Sequence, residues 1–261
     1  MLPEKLIMTE KTAKRTGQKR KGGTIILSVI LALVIILGAY ASIYYHAESS
    51  ALAFMNSDAV VSVSETGYGW FFDGPSEDTA LIFYPGAKVE ESSYAPLLHN
   101  LAEKGIDVCL VKMPFRLACL YGNAAEKVLK VHSYQNWYIG GHSLGGLMAA
   151  EYATANSDIF SGVILLGAYP IKTIPEPLTE IQIFGTEDHV VNRSLLEKGR
   201  AYAPSAYIYY TIQGGNHAQF GSYGKQRGDG TASISPDEQV NETVRVIVNS
   251  IIPQEIDVTS V

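Results

Sequence analysis

Apolar residues along the chain follow two alternating patterns. From residue 60 onward, short continuous or alternating apolar runs, typical of strands, are separated by segments with apolar residues at helical spacing. The predicted strands are residues 60–66, 69–78, 79–86, 106–114, 136–141, 161–169, 180–188 and 206–215. The predicted helices are residues 92–105, 117–132, 144–156, 193–203 and 236–252. This alternation predicts an α/β fold with a mostly parallel central sheet flanked by helices on both faces.

One longer apolar run precedes this pattern. Residues 24–45 carry no charge and, as a helix, would be about 33 Å long, enough to cross a bilayer. Residues 1–23 hold seven basic and two acidic side chains, a net charge of +5. This basic flank predicts a cytoplasmic N-terminus and an exported remainder. A signal peptide cleaved near Ala41 is the alternative, but the run is long for one, which favours an uncleaved transmembrane anchor.

Length and charge limit the rest of the chain. The sequence has 261 residues, 47% of them hydrophobic, enough for one substantial core. The predicted organisation is a basic segment over 1–23, the anchor over 24–45, a juxtamembrane linker over 46–58 and a globular domain over 59–261. The net charge of −6 leaves −11 outside the basic segment, which argues against a nucleic-acid partner.

Two further features concern the globular domain. About a dozen residues lie between the apolar runs 163–169 and 181–185, and they contain three prolines and leave no room for a lid domain, so loops alone should cover a site there. Cys109 and Cys119 both lie in apolar contexts, where buried free thiols are expected. A disulfide between them stays open, because sequence spacing cannot decide it.

Ser143 is the first residue that suggests chemistry. It is the centre of Gly141-His142-Ser143-Leu144-Gly145, which follows a predicted strand and opens a predicted helix. Such a turn needs glycines for space and lifts a serine hydroxyl out of the backbone. The pattern alone is weak, and the alternative is a glycine turn with a spectator serine. Its strand-to-helix setting favours a nucleophile.

A serine nucleophile needs a histidine and an acid. His217 lies in a glycine-marked loop after the last predicted strand, and Asp188 ends the strand before it. Functional loops follow the carboxyl ends of parallel strands, and the order Ser143, Asp188, His217 is that of one hydrolase fold. Glu187 is a one-residue alternative to Asp188. Of the other histidines, His142 is expected to point away from the hydroxyl, and surface positions are expected for His99 and His132.

The sequence resembles the α/β-hydrolase family over residues 60–252. "GGHSLGG" resembles the family's nucleophile elbow, "FGTEDHVV" its acid loop and "GGNHAQFG" its histidine loop. It is most similar to the small, lidless, dienelactone-hydrolase-like branch. It departs from dienelactone hydrolases proper, which have a cysteine nucleophile where this chain has Ser143. The resemblance selects Asp188 as the acid of the triad and implies an acyl-enzyme mechanism without metal or cofactor.

The remaining site residues follow from this resemblance. The oxyanion hole is expected to use the backbone N–H of Leu144 and a second N–H after the strand 79–86, from Ala87 or alternatively from Lys88. Residues near the predicted opening, and therefore possible substrate-lining residues, are Lys88, Tyr94, Phe115 and Arg116.

These observations predict a membrane-anchored, extracytoplasmic serine hydrolase that cleaves an ester-like bond. Its substrate would be a small-molecule or lipid-like ester, and an envelope lipid, a peptidoglycan substituent and an exogenous ester all stay open. The alternatives are an acyltransferase or thioesterase with the same triad, and a catalytically silent binding protein on this fold.

Overall fold

The apolar runs form the strands of one sheet. The computed structural model describes residues 25–75 and 78–252. The strands are β1 Ser62–Glu65, β2 Gly69–Asp73, β3 Thr79–Tyr84, β4 Asp107–Val111, β5 Asn136–His142, β6 Gly162–Leu166, β7 Thr179–Gly185 and β8 Tyr207–Ile212. They are arranged in the order β1-β2-β4-β3-β5-β6-β7-β8. The pairs β1–β2 and β2–β4 are antiparallel, and every later pair is parallel. The loops after β3, β4, β5, β6, β7 and β8 therefore meet at one edge of the sheet.

Helices of the compact unit that begins at Tyr44 cover both faces of this sheet. The described helices of the chain are α1 Ile25–Ser42, α2 Ser49–Ala53, α3 Ala95–Glu103, α4 Ala125–Leu129, α5 Leu144–Ala155, α6 Arg193–Gly199 and α7 Pro236–Ile251. The helix predicted over 117–132 is wrong in extent, because only a short 3-10 turn, Ala118–Leu120, and α4 form there. Gly122 and Asn123 lie between the two pieces, and both residue types favour turns over helix interiors.

Alternating side chains of β3 show how the two faces are filled. Leu81 and Phe83 belong to a core that includes buried residues of α3 and α7. Ala80, Ile82 and Tyr84 belong to a second core, formed with α4 and α5. All five side chains are almost completely buried, and a fully buried aliphatic or aromatic side chain contributes roughly 1.5–3 kcal/mol. The sheet between two apolar layers is thus a rigid support for the loops at its edge.

Helix α1 belongs to a separate unit of the chain, which ends at Ile43. It has 18 residues with a mean hydropathy of 2.7 and no charged residue. By length and composition it could serve as a membrane anchor or as a signal sequence. Residues 1–23, predicted to be basic and cytoplasmic, lie outside the described residues.

The predicted juxtamembrane linker, residues 46–58, is packed into the same compact unit as the sheet, which begins at Tyr44. Helix α2 forms within it, and Ala51 is fully buried. Asp58 then accepts hydrogen bonds from the backbone N–H of Val60 at 2.7 Å and of Val61 at 2.8 Å. The segment that follows α1 is therefore structured almost from its start.

Two expectations for individual side chains were wrong. His99 is only 3% exposed, because α3 turns it toward Phe54 and Phe72, whose rings lie 5.6 and 6.5 Å from its ring. Cys119 is an exposed free thiol, whereas Cys109 is buried, as expected. Cys109 accepts a hydrogen bond from the Tyr68 hydroxyl, and burial raises the pKa of its thiol to about 12.

Candidate active site

Ser143 occupies a sharp turn between β5 and α5. Its backbone has φ 55° and ψ −125°, a region that costs of order 1–3 kcal/mol for a residue with a side chain. The Ser143 N–H donates to the Leu166 carbonyl at 2.9 Å, which ties the turn to β6. A Cβ atom on Gly145 would lie 2.2 Å from the Tyr84 carbonyl oxygen, so only glycine fits there. The packing of α5 against the end of β3 thus maintains the strained turn.

Asp188 and His217 form a buried pair. His217 Nδ1 lies 2.8 Å from Asp188 Oδ2, and each residue is 1% exposed. The other carboxylate oxygen, Oδ1, accepts the backbone N–H groups of Val190 and Val191, each at 2.9 Å. A carboxylate can only accept hydrogen bonds, so with an Asp188 carboxylate His217 Nδ1 is the donor of this bond. In a neutral imidazole of that tautomer, Nε2 is the acceptor, the form that a general base requires.

Glu187 does not contact the histidine ring. Its carboxylate accepts a hydrogen bond from the neighbouring Thr186 hydroxyl at 3.2 Å. Its backbone N–H donates to the Gly215 carbonyl at 2.8 Å, which joins the acid loop to the histidine loop. Of the two acids that the sequence left open, the structure pairs Asp188 with His217.

Gly167 is a residue that sequence reasoning missed. It directly follows β6 and has φ +53°. A Cβ atom there would lie 2.8 Å from His217 Nδ1 and 3.3 Å from Asp188 Oδ2. The backbone of the β6 loop therefore supports the histidine–aspartate pair from one side, and any side chain would displace it. The glycine at the end of the apolar run 161–166 was the available signal.

Ser143 and His217 face a common cleft of about 250 Å³. Its polar positions come from these two residues and Asn192, and its walls are mostly apolar. The remaining lining residues are Leu144, Leu147, Gly167, Ala168, Tyr169, Val190 and Val191. Within the described residues, buried His217 Nε2 has no hydrogen-bond partner. The nitrogen that would accept a proton is therefore free and shares a cleft with the serine.

Backbone N–H groups of the loop after β3 and at the start of α5 differ in whether they already donate a hydrogen bond. The N–H of Gly86 donates to the Tyr94 hydroxyl at 3.0 Å, and that of Lys88 donates to the Arg116 carbonyl at 2.8 Å. Between them, the N–H of Ala87 has no acceptor among residues 25–75 and 78–252. Leu144 is the first residue of α5, so its N–H has no partner within the helix. Within the part of the chain that the structure describes, the N–H groups of Ala87 and Leu144 are thus unoccupied donors, whereas that of Lys88 is occupied.

A second histidine packs against the first. The rings of His142 and His217 have centroids 4.4 Å apart, and His142 Nδ1 lies 2.8 Å from the Tyr94 hydroxyl. Since that hydroxyl accepts from Gly86, its own proton is free to donate to His142 Nδ1. Burial, and secondarily the neighbouring His217, hold the pKa of His142 well below its usual range, although the His217 backbone opposes the shift. His142 is therefore a neutral, buried side chain that does not line the cleft.

None of the four side chains predicted as substrate-lining borders this cleft. Tyr94 is fully buried beside His142. Lys88, Phe115 and Arg116 lie in the loops after β3 and β4, and all three have positive φ angles, of 61°, 51° and 58°. These two loops approach each other through the backbone bond between Lys88 and Arg116.

A group of possible metal ligands lies apart from these residues. Among the described residues, Asp58, His99 and Glu103 have ligand atoms within 4.8 Å of one another. His99 Nε2 is 3.4 Å from Asp58 Oδ2, and His99 Nδ1 is 3.9 Å from Glu103 Oε1, so the histidine joins two surface carboxylates. The group contains none of the residues that line the cleft.

Comparison with known proteins gives the family. A sequence model described as the alpha/beta hydrolase family matches residues 80–241, more than half of the chain. The chain therefore belongs to the alpha/beta hydrolase family, as its motifs predicted. No curated protein matches the chain significantly.

Solved structures share the fold. The chain is similar to Est1E from Butyrivibrio proteoclasticus, with 14% identity and a TM-score of 0.52 over 75% of this chain and 100% of that one. It is similar to naproxen esterase from Bacillus subtilis, with 11% identity and a TM-score of 0.51 over 76% and 93% of the two chains. A bacterial membrane phospholipase A is similar at 11% identity, with a TM-score of 0.55 over 87% and 99%.

Proposed function

We propose that the chain is a serine hydrolase, anchored in the membrane by α1 with its catalytic domain outside the cytoplasm, that cleaves carboxylic esters through Ser143, His217 and Asp188. The observation that carries the proposal is the buried Asp188–His217 pair, whose free Nε2 shares a cleft with a serine in a strained turn. The esterases and the phospholipase among its structural neighbours support an ester as substrate.

In the proposed mechanism, His217 Nε2 takes the Ser143 proton while the Ser143 Oγ attacks the ester carbonyl. Asp188 stabilises the imidazolium that forms, through the Nδ1–H bond. The N–H groups of Leu144 and Ala87 bind the developing oxyanion, and one such donor is typically worth about 3–4 kcal/mol. The histidine passes its proton to the leaving alcohol and then activates a water that hydrolyses the acyl-enzyme.

Labelling of the full chain with a fluorescent fluorophosphonate, in detergent, tests this proposal. An activated serine reacts with the probe, so we expect labelling of the wild type and its loss in Ser143→Ala and His217→Ala. Ser92→Ala is a matched control, since Ser92 is a buried serine outside the cleft. Absence of labelling in a folded wild-type chain would contradict the proposal, as would labelling that survives in Ser143→Ala.

A further inference from the structure

The segment Tyr44–Glu48, here named the strap, follows α1 and is hydrogen-bonded to the loop after β3. The Tyr45 N–H donates to the Lys88 carbonyl at 2.7 Å, and the Glu90 N–H donates to the Tyr45 carbonyl at 2.9 Å. Tyr45 and Val89 thereby form a parallel bridge. The strap is thus bonded directly to the loop that carries Ala87, the proposed oxyanion donor.

Side chains of the strap join two more loops at the same edge of the sheet. The guanidinium carbon of Arg116, after β4, lies 3.3 Å from the centroid of the Tyr44 ring. The Tyr45 ring lies 5.5 Å from that of Tyr223, and its hydroxyl accepts the Arg227 N–H at 3.1 Å. Tyr223 and Arg227 belong to the loop that follows His217. The strap therefore joins the loops after β3 and β4 to the loop that follows His217, a residue of the cleft.

The chain length between α1 and the strap is short. Helix α1 ends at Ser42 and Tyr45 is the third residue after it, so their separation is at most about 10–11 Å. The 18 residues of α1 extend about 27 Å, close to the roughly 30 Å of a bilayer's hydrocarbon core. If α1 is anchored in the membrane, the connection from Ser42 to Tyr45 is too short to carry Tyr45 far from it, and Tyr45 would lie within or beside the head-group region.

The loop after β4 also suits such a position. Phe115 is 57% exposed, and its φ of 51° is an unfavourable backbone conformation for an aromatic residue. Leu120, in the same loop, is also 57% exposed. Arg116, adjacent to Phe115, stacks on the strap. Exposed Phe and Leu side chains can enter the boundary between lipid head groups and acyl chains.

From these contacts we infer that the strap holds the cleft at the membrane surface, and that the substrate is an ester-bearing lipid of the bilayer. This rests on the proposed function, including an uncleaved α1. A lipid ester would reach Ser143 without leaving the membrane. An Oγ–acyl bond forms, the ester C–O bond breaks and the serine proton passes through His217 to the leaving alcohol. Water then releases the fatty acid and restores the serine.

The experiment distinguishes a loss of catalysis, which would affect every ester, from a displacement of the cleft, which would affect only lipid in the bilayer. Full-length chain is reconstituted in vesicles of phosphatidylcholine, and fatty-acid release is measured beside hydrolysis of soluble p-nitrophenyl butyrate. The variant has four EAAAK repeats between Ser42 and Ile43, a helical spacer of about 30 Å that leaves the strap contacts in place. The same insertion between Gly22 and Gly23 is the matched control, because it does not lengthen the connection from Ser42 to Tyr45.

We expect the spacer after Ser42 to lower fatty-acid release at least tenfold and to change butyrate hydrolysis less than twofold, with the control like the wild type. Unchanged fatty-acid release in the spacer variant would overturn the inference. A wild type that hydrolyses butyrate but no vesicle lipid would overturn it too and leave the proposed function standing. A wild type inactive on both substrates would instead reject the proposed function.

If the spacer impairs both reactions because the chain misfolds, a second variant tests the inference instead. Phe115→Ser changes one exposed side chain and breaks no hydrogen bond of the strap. Fatty-acid release reduced at least threefold, with butyrate hydrolysis unchanged, supports the inference. Equal effects of Phe115→Ser on both substrates, or none on either, overturn it.

Discussion

His142 and His217 are both buried and lie with ring centroids 4.4 Å apart, yet their partners differ. His217 faces the carboxylate of Asp188, whereas His142 faces the hydroxyl of Tyr94. A carboxylate stabilises an imidazolium. The Tyr94 hydroxyl does not, because burial raises the pKa of Tyr94 and keeps the phenol neutral. One histidine therefore lies beside a carboxyl group whose ionised form would stabilise an imidazolium, and the other beside a neutral phenol.

The neutrality of His142 matters for its neighbour. Two unit charges about 4 Å apart repel by about 4 kcal/mol at the effective dielectric constant typical near a protein surface. A charged His142 would oppose the imidazolium at His217 by an energy of that order. Because the pKa of His142 is lowered, His142 stays neutral and this repulsion does not arise. The two histidines can therefore be tested separately, through the partner of each.

The largest effect is expected when the partner of His217 changes. Asp188→Asn keeps the shape but removes the charge and favours the wrong ring tautomer, so we expect kcat for p-nitrophenyl butyrate to fall about 10³–10⁴-fold. Glu187→Gln, one residue away, is the control and should keep kcat within about twofold, because Glu187 does not contact the ring. Similar losses in both variants would contradict the assignment of the acid.

The next largest effect is expected at Gly167, whose backbone lies against the His217–Asp188 pair. Gly167→Ala places a Cβ atom 2.8 Å from His217 Nδ1, and displacement of a catalytic group by about 1 Å can cost about 10²-fold in rate. We expect kcat to fall about 10–100-fold. Gly228→Ala is the matched control, since Gly228 also has positive φ but has nothing within 4 Å of the added atom. Equal rates in the two variants would mean that Gly167 does not position His217.

These residues differ in how visible they were in the sequence. The strands, the Ser143 turn and the loops of Asp188 and His217 were predicted because each is marked locally, by apolar runs, glycines and residue order. The Tyr94–His142 bond joins residues 48 positions apart, and the strap joins Tyr45 to Val89. No local pattern marks such pairs, because they depend on how distant segments pack.

A smaller effect is expected when the partner of His142 changes. Tyr94→Phe leaves the Gly86 N–H and His142 Nδ1 without their partner, which should lower the free energy of unfolding by about 1–3 kcal/mol. It also loosens the loop that carries Ala87, so we expect kcat to fall roughly 3–10-fold, within the range of one oxyanion donor.

Tyr84→Phe is the matched control for Tyr94→Phe. Tyr84 is another buried tyrosine, and its hydroxyl accepts from Ala125 N–H and donates to the Gly122 carbonyl, away from the histidines. It should lose comparable stability in urea unfolding and keep kcat. If both variants lose stability equally and neither loses activity, Tyr94 is structural only.

The smallest effect is expected on the pH dependence of stability. The folded-state pKa of His142 is depressed from 6.5, so below this pH the unfolded chain binds a proton that the folded chain does not. Stability is therefore lost as pH falls below about 6.5, and His142→Gln should flatten this loss in Tm measured from about pH 7 to pH 5.

Burial raises the pKa of Glu180 to about 8, and that carboxyl makes stability fall as pH rises toward 8. The wild type and His142→Gln both contain Glu180, so the difference between their curves of Tm against pH isolates the effect of His142. Parallel curves would show that His142 does not destabilise the folded chain at low pH.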